Sequence, residues 1–315
     1  MKKLYHFLII ISLSVTMTSC ANKTEKLEIP SKPVIQSPLK FKEKEQEFKI
    51  INYYQENLDF LDKARKEPNN LEVLYKETVI EELRNNGFSY DELSEWMFST
   101  PTNLEALEES MDTLIDKQIL LNESIKEALS DSASKLPGGD KTVHILPARP
   151  EFFLHDKHVF GLVWNENSML ILINPSFLEE DLKYSVAHEY HHTVFMETAV
   201  YTPYNLLEDI IVEGKATMFA EIIYPDVENP WNKSFSSKDE NTWKIFMDNL
   251  ESSNSEVLDD FQNGNQWTGI PMWSNYTIGY QVMEKFLEHN PNLTIEEWTQ
   301  MGSKDILEKS KVKDD

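Results

Sequence analysis

Ser185-Val186-Ala187-His188-Glu189-Tyr190-His191-His192-Thr193 contains the pattern H-E-x-x-H in His188, Glu189 and His192. Residues four apart lie one above the other on a helix, so His188 and His192 can aim two imidazole nitrogens at one point. That arrangement suits Zn2+, which takes nitrogen ligands at about 2.0–2.1 Å. Glu189 sits about 100° round the helix from His188, badly placed to bind the same ion. It is well placed to take a proton from a water held on that ion. The plainer reading is three polar residues on an exposed helix face, but the residues downstream of the motif favour the metal. His191 is expected to point off the metal side, as a supporting or surface residue.

One zinc ion needs a third protein ligand and keeps its fourth position for water. One subtype would put Gly at position 195 and His at position 198. The chain has Phe195 and Thr198, which excludes it. The other common solution is a Glu from a later helix, and residues 205–221 supply candidates. That stretch is apolar almost all round, through Leu206, Leu207, Ile210, Ile211, Val212, Met218, Phe219 and Ala220, as a buried helix is. Glu208 and Lys215 share the one side expected to reach water, which makes Glu208 a poor ligand. Asp209, Glu213 and Thr217 form the opposite row, where a carboxylate needs a cation or strong hydrogen bonds. Glu213 is the expected third ligand. Gly214 and Ala216 are small enough to let this helix lie close to the histidine helix. Asp209 either holds a ligand histidine by its free ring N–H or faces the dipole of its own helix.

His188-Glu189-x-x-His192, then about twenty residues, then Glu213-Gly214-x-Ala216, resembles the gluzincin branch of zinc metallopeptidases. More narrowly, it resembles the YjaZ-like predicted zinc-dependent proteases. Tyr276-Thr-Ile278-Gly279-Tyr280 is similar to a C-terminal element of that family, and the resemblance covers roughly residues 70 to 290. It implies zinc on His188, His192 and Glu213, Glu189 as the base, and a peptide or protein substrate. It also implies a zincin-like fold, α+β and mainly α, with a small sheet beside the H-E-x-x-H helix.

The remainder of the chain sets the context. Its 315 residues are 40% hydrophobic and 11% aromatic, enough for a real core. Residues 1–19 read as a lipoprotein signal peptide: Lys2 and Lys3, an apolar run too short to span a bilayer, then small residues before Cys20. Cys20 is the only cysteine, so it forms no internal disulfide, and lipidation explains it best. The expected mature chain is then extracytoplasmic and membrane-anchored by acyl chains. Losing Lys2 and Lys3 takes the net charge from −24 to −26, which rules against nucleic acid.

Residues 20–45 carry Pro30, Pro33 and Pro38 and are expected to be a tether. Residues 46–136 are expected to be a helical region, in which Ile50, Ile51, Tyr54, Leu58 and Leu61 fall at helical spacing and residues 104–129 form one long helix. A catalytic region follows at 137–303. In it the runs 142–146, 159–164 and 169–173 read as strands, with a hairpin turn at Asn165-Glu166-Asn167. Residues 169–174 are the expected edge strand for pairing with an extended substrate, or else a plain core strand. His144, His155 and His158 are expected to be structural or exposed. Ser176 and Glu179 are expected to form a capping box for the histidine helix. Tyr276, Gly279 and Tyr280 share a helix face: a phenol there either donates to a developing oxyanion or packs beside a close-approach glycine. Residues 304–315 are expected to fray. The expected activity is peptide hydrolysis. The alternative is a zinc- or ligand-binding surface lipoprotein without catalysis, and an intact Glu189 argues against it.

Overall fold

The structure, a computed structural model, describes residues 34–88, 98–149, 158–198, 204–232 and 240–312. The expected signal peptide, Cys20 and His155 lie outside these residues. Residues 34–315 form one unit around a five-stranded sheet. Its strands are β1 (Leu39–Glu43), β2 (Gln46–Asn52), β3 (Lys141–Pro147), β4 (Val159–Asn165) and β5 (Ser168–Ile173). Their order across the sheet is β1-β2-β3-β5-β4. β2, β3 and β5 run parallel, while β1 and β4 pair antiparallel at the two ends. The fold is α+β and mainly helical, as expected.

Two expected boundaries move. β1 lies inside the stretch read as tether, and β2 opens the region read as wholly helical. β2 pairs with β3 from Phe48↔Lys141 to Asn52↔Ile145, so the supposed helical half and the catalytic half share one sheet. Ile50 and Ile51 are core residues of a strand; helical periodicity begins only with α1 (Tyr54–Ala64), where Tyr54, Phe60 and Leu61 are buried. The expected helix over 104–129 is two helices, α4 (Leu104–Asp116) and α5 (Gln118–Lys135), broken at Lys117. The short helices α2 (Leu71–Tyr75) and α3 (Glu81–Asn85) are joined by a π-helical turn at Lys76–Ile80.

β5 is the central strand on this side of the sheet. Ser168–Ile173 is buried throughout, with β3 on one edge and β4 on the other. A continuous apolar run is what a strand covered on both faces requires. It therefore cannot offer an edge to a substrate, and the strand that ends the sheet here is β4. The β4–β5 turn falls at Glu166 and Asn167, within the segment where the hairpin was expected.

Helix α6 (Glu179–Thr198) packs against α5, β4 and β5, and α7 (Leu206–Ile223) lies against α6. The chain closes with α8 (Glu240–Asp248), α9 (Ser255–Asn263), α10 (Ser274–His289), α11 (Ile295–Gln300) and α12 (Ser303–Ser310). α12 buries Ile306 and Leu307, so the expected fraying does not reach residues 304–310.

Candidate metal centre

α6 carries no single apolar face, because it is buried on nearly every side: Leu182, Tyr184 and the whole run Val186–Val194 are in the interior. Polar side chains in that run must find partners. The expected Ser176 capping box does not form. Ser176 lies before the helix, and its N–H bonds the Asn174 side chain at 2.9 Å. Asn205 caps α7, accepting from the Glu208 N–H at 3.0 Å.

Between the two helices, His188, His192 and Glu213 converge. The two Nε2 atoms stand 3.0 Å apart, and Glu213 Oε2 lies 3.1 Å from His188 Nε2 and 3.5 Å from His192 Nε2. Ligand atoms on a tetrahedral zinc with bonds of about 2.0–2.2 Å stand roughly 3.3–3.5 Å from one another. Two imidazole nitrogens and a carboxylate oxygen aimed at one point need a cation, or shared protons, between them. The three donors fit zinc in type, number and spacing, and they are the one such group of three among the described residues. Burial opposes the charge on Glu213, but the His192 and His188 imidazoles hold its carboxyl well below the usual carboxylate range.

Glu189 is buried beside them. Burial pushes its carboxyl up, against the pull of His188 and His192. Its room comes from β4: a Cβ on Gly161 would stand 2.3 Å from Glu189 Cγ and Oε1. Sequence reasoning passed over Gly161, although a lone glycine inside a strand often marks a close approach.

Tyr276 on α10 joins the site. Its ring lies 5.8 Å from the His188 ring, and its phenol feels the charge of Glu213. Burial, then the charges of Glu213, Glu189 and Asp209, push that phenol far up. Tyr280 does not join it. It lies one helical turn further on, outside the cleft lining, where burial first and then Glu284 and Glu221 push its phenol up to about 12.

The close approach expected of Gly214 is real, but its partner is α10. A Cβ on Gly214 would stand 2.4 Å from the Gly279 backbone, and one on Gly279 would stand 2.3 Å from the Ile210 carbonyl. This crossing brings α10, with Tyr276 on it, against the helix that carries Glu213. Asp209 accepts from the Tyr204 hydroxyl and, at 3.5 Å, from Asn275, rather than from a ligand histidine. Burial first, then the charge of Glu213, push its carboxyl up to about 7.

Lys215, expected near water, is buried, and His191, expected as a supporting or surface residue, is buried too. The His191 ring stacks on Trp298 at 5.5 Å and lies 5.4 Å from Phe219. The Thr299 hydroxyl donates to the Ile295 carbonyl, so His191 Nε2, 3.2 Å from that hydroxyl oxygen, is the donor to it. Lys215 is 1% exposed and donates to the carbonyls of Thr299 at 2.9 Å and Met301 at 2.7 Å. Those carbonyls lie at the end of α11, where a cation is favoured.

His188 and Glu189 open into a cleft. Tyr184 and Ser185 of α6 line it, with Val159, Phe160 and Gly161 of β4 and with Trp231, Trp273 and Tyr276. Neither Phe160 nor Trp273 was singled out from sequence.

Searches of curated proteins and of solved structures find no match to this chain. A family model described as a predicted Zn-dependent protease (DUF2268) matches residues 121–308, more than half of the chain. The matched stretch includes both histidines, Glu189, Glu213 and Tyr276. The chain belongs to this family of predicted Zn-dependent proteases.

Proposed function

We propose that this protein is a zinc metallopeptidase in which Glu189 is the general base, held outside the cytoplasm by a lipid on Cys20. The observation that carries the catalytic part is the convergence of His188, His192 and Glu213 with a buried Glu189 at the floor of one cleft. Zinc on the three ligands would lower the pKa of a water toward ~7 and polarise the scissile carbonyl.

The chain's own groups supply the rest. Glu189 takes the proton from the attacking water and delivers it to the leaving amine. A carboxyl raised by burial suits both halves of that task, since it binds a proton without trapping it. The Tyr276 hydroxyl, in the same cleft and on a ring 5.8 Å from that of His188, donates to the oxygen that becomes negative. The outer edge of β4, beside Glu189, offers main-chain groups to an extended peptide. The anchor is supported by the sequence alone, through the apolar leader and the single cysteine after it.

The test uses the mature chain, assayed for bound metal and for peptide cleavage with and without a chelator. Glu189→Gln is expected to bind zinc like the parent and to lose nearly all hydrolysis. Full activity in that variant removes Glu189 as the base. Zinc binding with no cleavage of any peptide by the parent protein favours the non-catalytic alternative.

A further inference from the structure

We infer that the cleft selects peptides with a bulky apolar side chain, aromatic above all, at one position flanking the scissile bond. This rests on reading the centre as a peptidase. The wall beside the metal ligands is aromatic. The Trp231 ring lies 5.2 Å from Tyr276 and 5.9 Å from Trp273, and the Trp273 and Tyr276 rings are 5.5 Å apart. Tyr276 continues this cluster to His188. Val159 and Phe160 of β4 line the same cleft. A side chain leaving the reacting carbonyl on this side enters an apolar slot directly.

Two features set the chemical class. A cage that grips a cation holds its rings apart around a gap. Here the three rings touch one another, which makes a wall for flat or branched apolar groups. Among the described residues lining the cleft, Glu189 is the one carboxylate, and it is committed to the reaction. A cationic side chain would lose its hydration with nothing to replace it.

Trp273 is the second feature. It adopts φ 62° and ψ 25°, a left-handed conformation that a bulky L residue occupies only under strain. Its N–H bonds the Gln262 carbonyl at 3.0 Å, and its own carbonyl accepts from the Thr277 N–H at 3.0 Å and hydroxyl at 3.1 Å. Glycine would sit there without strain. A tryptophan held there places its ring in the cleft at the cost of backbone strain, a pattern that belongs to functional sites.

The experiment digests a mixed-sequence peptide library with the zinc-loaded protein and reads the cut sites by mass spectrometry. Phe, Tyr, Trp, Leu and Met are expected to be enriched at one position beside the cut. Matched peptides with Phe or Ala there should differ in kcat/KM by about ten- to a hundredfold. Trp273→Gly and Phe160→Ala should each shrink that ratio by about tenfold. Trp273→Gly should also melt at or above the parent temperature, which separates lost selectivity from misfolding. In the Glu189→Gln background the Phe peptide, but not the Ala peptide, should change tryptophan fluorescence. Cleavage with no enrichment overturns the inference and leaves the peptidase standing. A fluorescence response without cleavage by the parent supports the slot and overturns the peptidase. No cleavage and no fluorescence response overturns both.

Discussion

Glu189, the base in the proposed mechanism, owes its position to Gly161. The carboxylate must lie within about 3 Å of a water to take its proton, and β4 leaves room for it only because residue 161 has no Cβ. In Gly161→Ala the new methyl would overlap Glu189 Cγ and Oε1 at 2.3 Å and Cδ at 2.5 Å. These atoms belong to a side chain that can swing, so the clash displaces the carboxylate rather than the strand. The expected result is a loss of kcat of about a hundredfold, the usual consequence of a misplacement near 1 Å. Bound zinc should be unchanged and melting should fall by only a few degrees. Elemental analysis beside a kcat measurement checks this. Loss of the metal together with activity would show that Gly161 supports the ligands instead.

At the scale of elements, the site depends on two helix pairings of different kinds. α6 and α7 bring His188, His192 and Glu213 together, whereas α7 and α10 meet backbone to backbone at Gly214 and Gly279. The second contact sets how far Tyr276 stands from Glu213. Gly279→Ala would bring a methyl to 2.3 Å from the Ile210 carbonyl and 2.7 Å from the Gly214 backbone, and backbone cannot swing aside. Overpacking of this kind costs about 1–3 kcal/mol. Because the strain falls on the helix that carries Glu213, zinc affinity should weaken together with stability. A chelator-competition titration beside a thermal melt reads both. A lower melting temperature with unchanged zinc affinity would mean that α10 yields and α7 does not. The helix positions of His188, His192 and Glu213 were legible in sequence because their spacing is local: i and i+4 on α6, and a carboxylate row inside an otherwise apolar α7. What Gly214 touches was not legible, because its partner lies on a helix 65 residues later, Gly279 less Gly214. The burial of Lys215 was hidden for the same reason, since its acceptors are the carbonyls of Thr299 and Met301.

In the whole molecule, strand pairing escaped sequence reasoning most. The three strands after residue 140 announce themselves by apolar runs and a turn, but their order in the sheet is tertiary. Residues 39–52 were masked by apolar spacing that runs on from β2 into α1. Pairing β2 with β3 has a consequence for the fold as a whole, because it buries His144 of β3 against residues contributed by the first half of the chain. The His144 ring stacks on Tyr53 at 5.9 Å and lies 5.2 Å from Phe88, and its Nδ1 is 2.8 Å from the Tyr53 hydroxyl. It is fully buried, and burial first, then Lys49, lower its pKa to about 3. In the unfolded chain an imidazole titrates near 6.5. The unfolded state therefore binds the extra proton as pH falls below ~6.5, while the folded state refuses it until about pH 3. The stability His144 allows is fully present above ~6.5 and is lost progressively on acidification toward pH 3, to a total on the order of a few kcal/mol. The double variant His144→Leu with Tyr53→Phe removes the titrating ring and its polar partner together, which can be nearly neutral at pH 7.5. Its melting temperature should fall less steeply than the parent's between pH 6.5 and pH 4. If the two curves stay parallel through that window, the acid sensitivity of this fold lies in its carboxylates and not in the seam that joins its two halves.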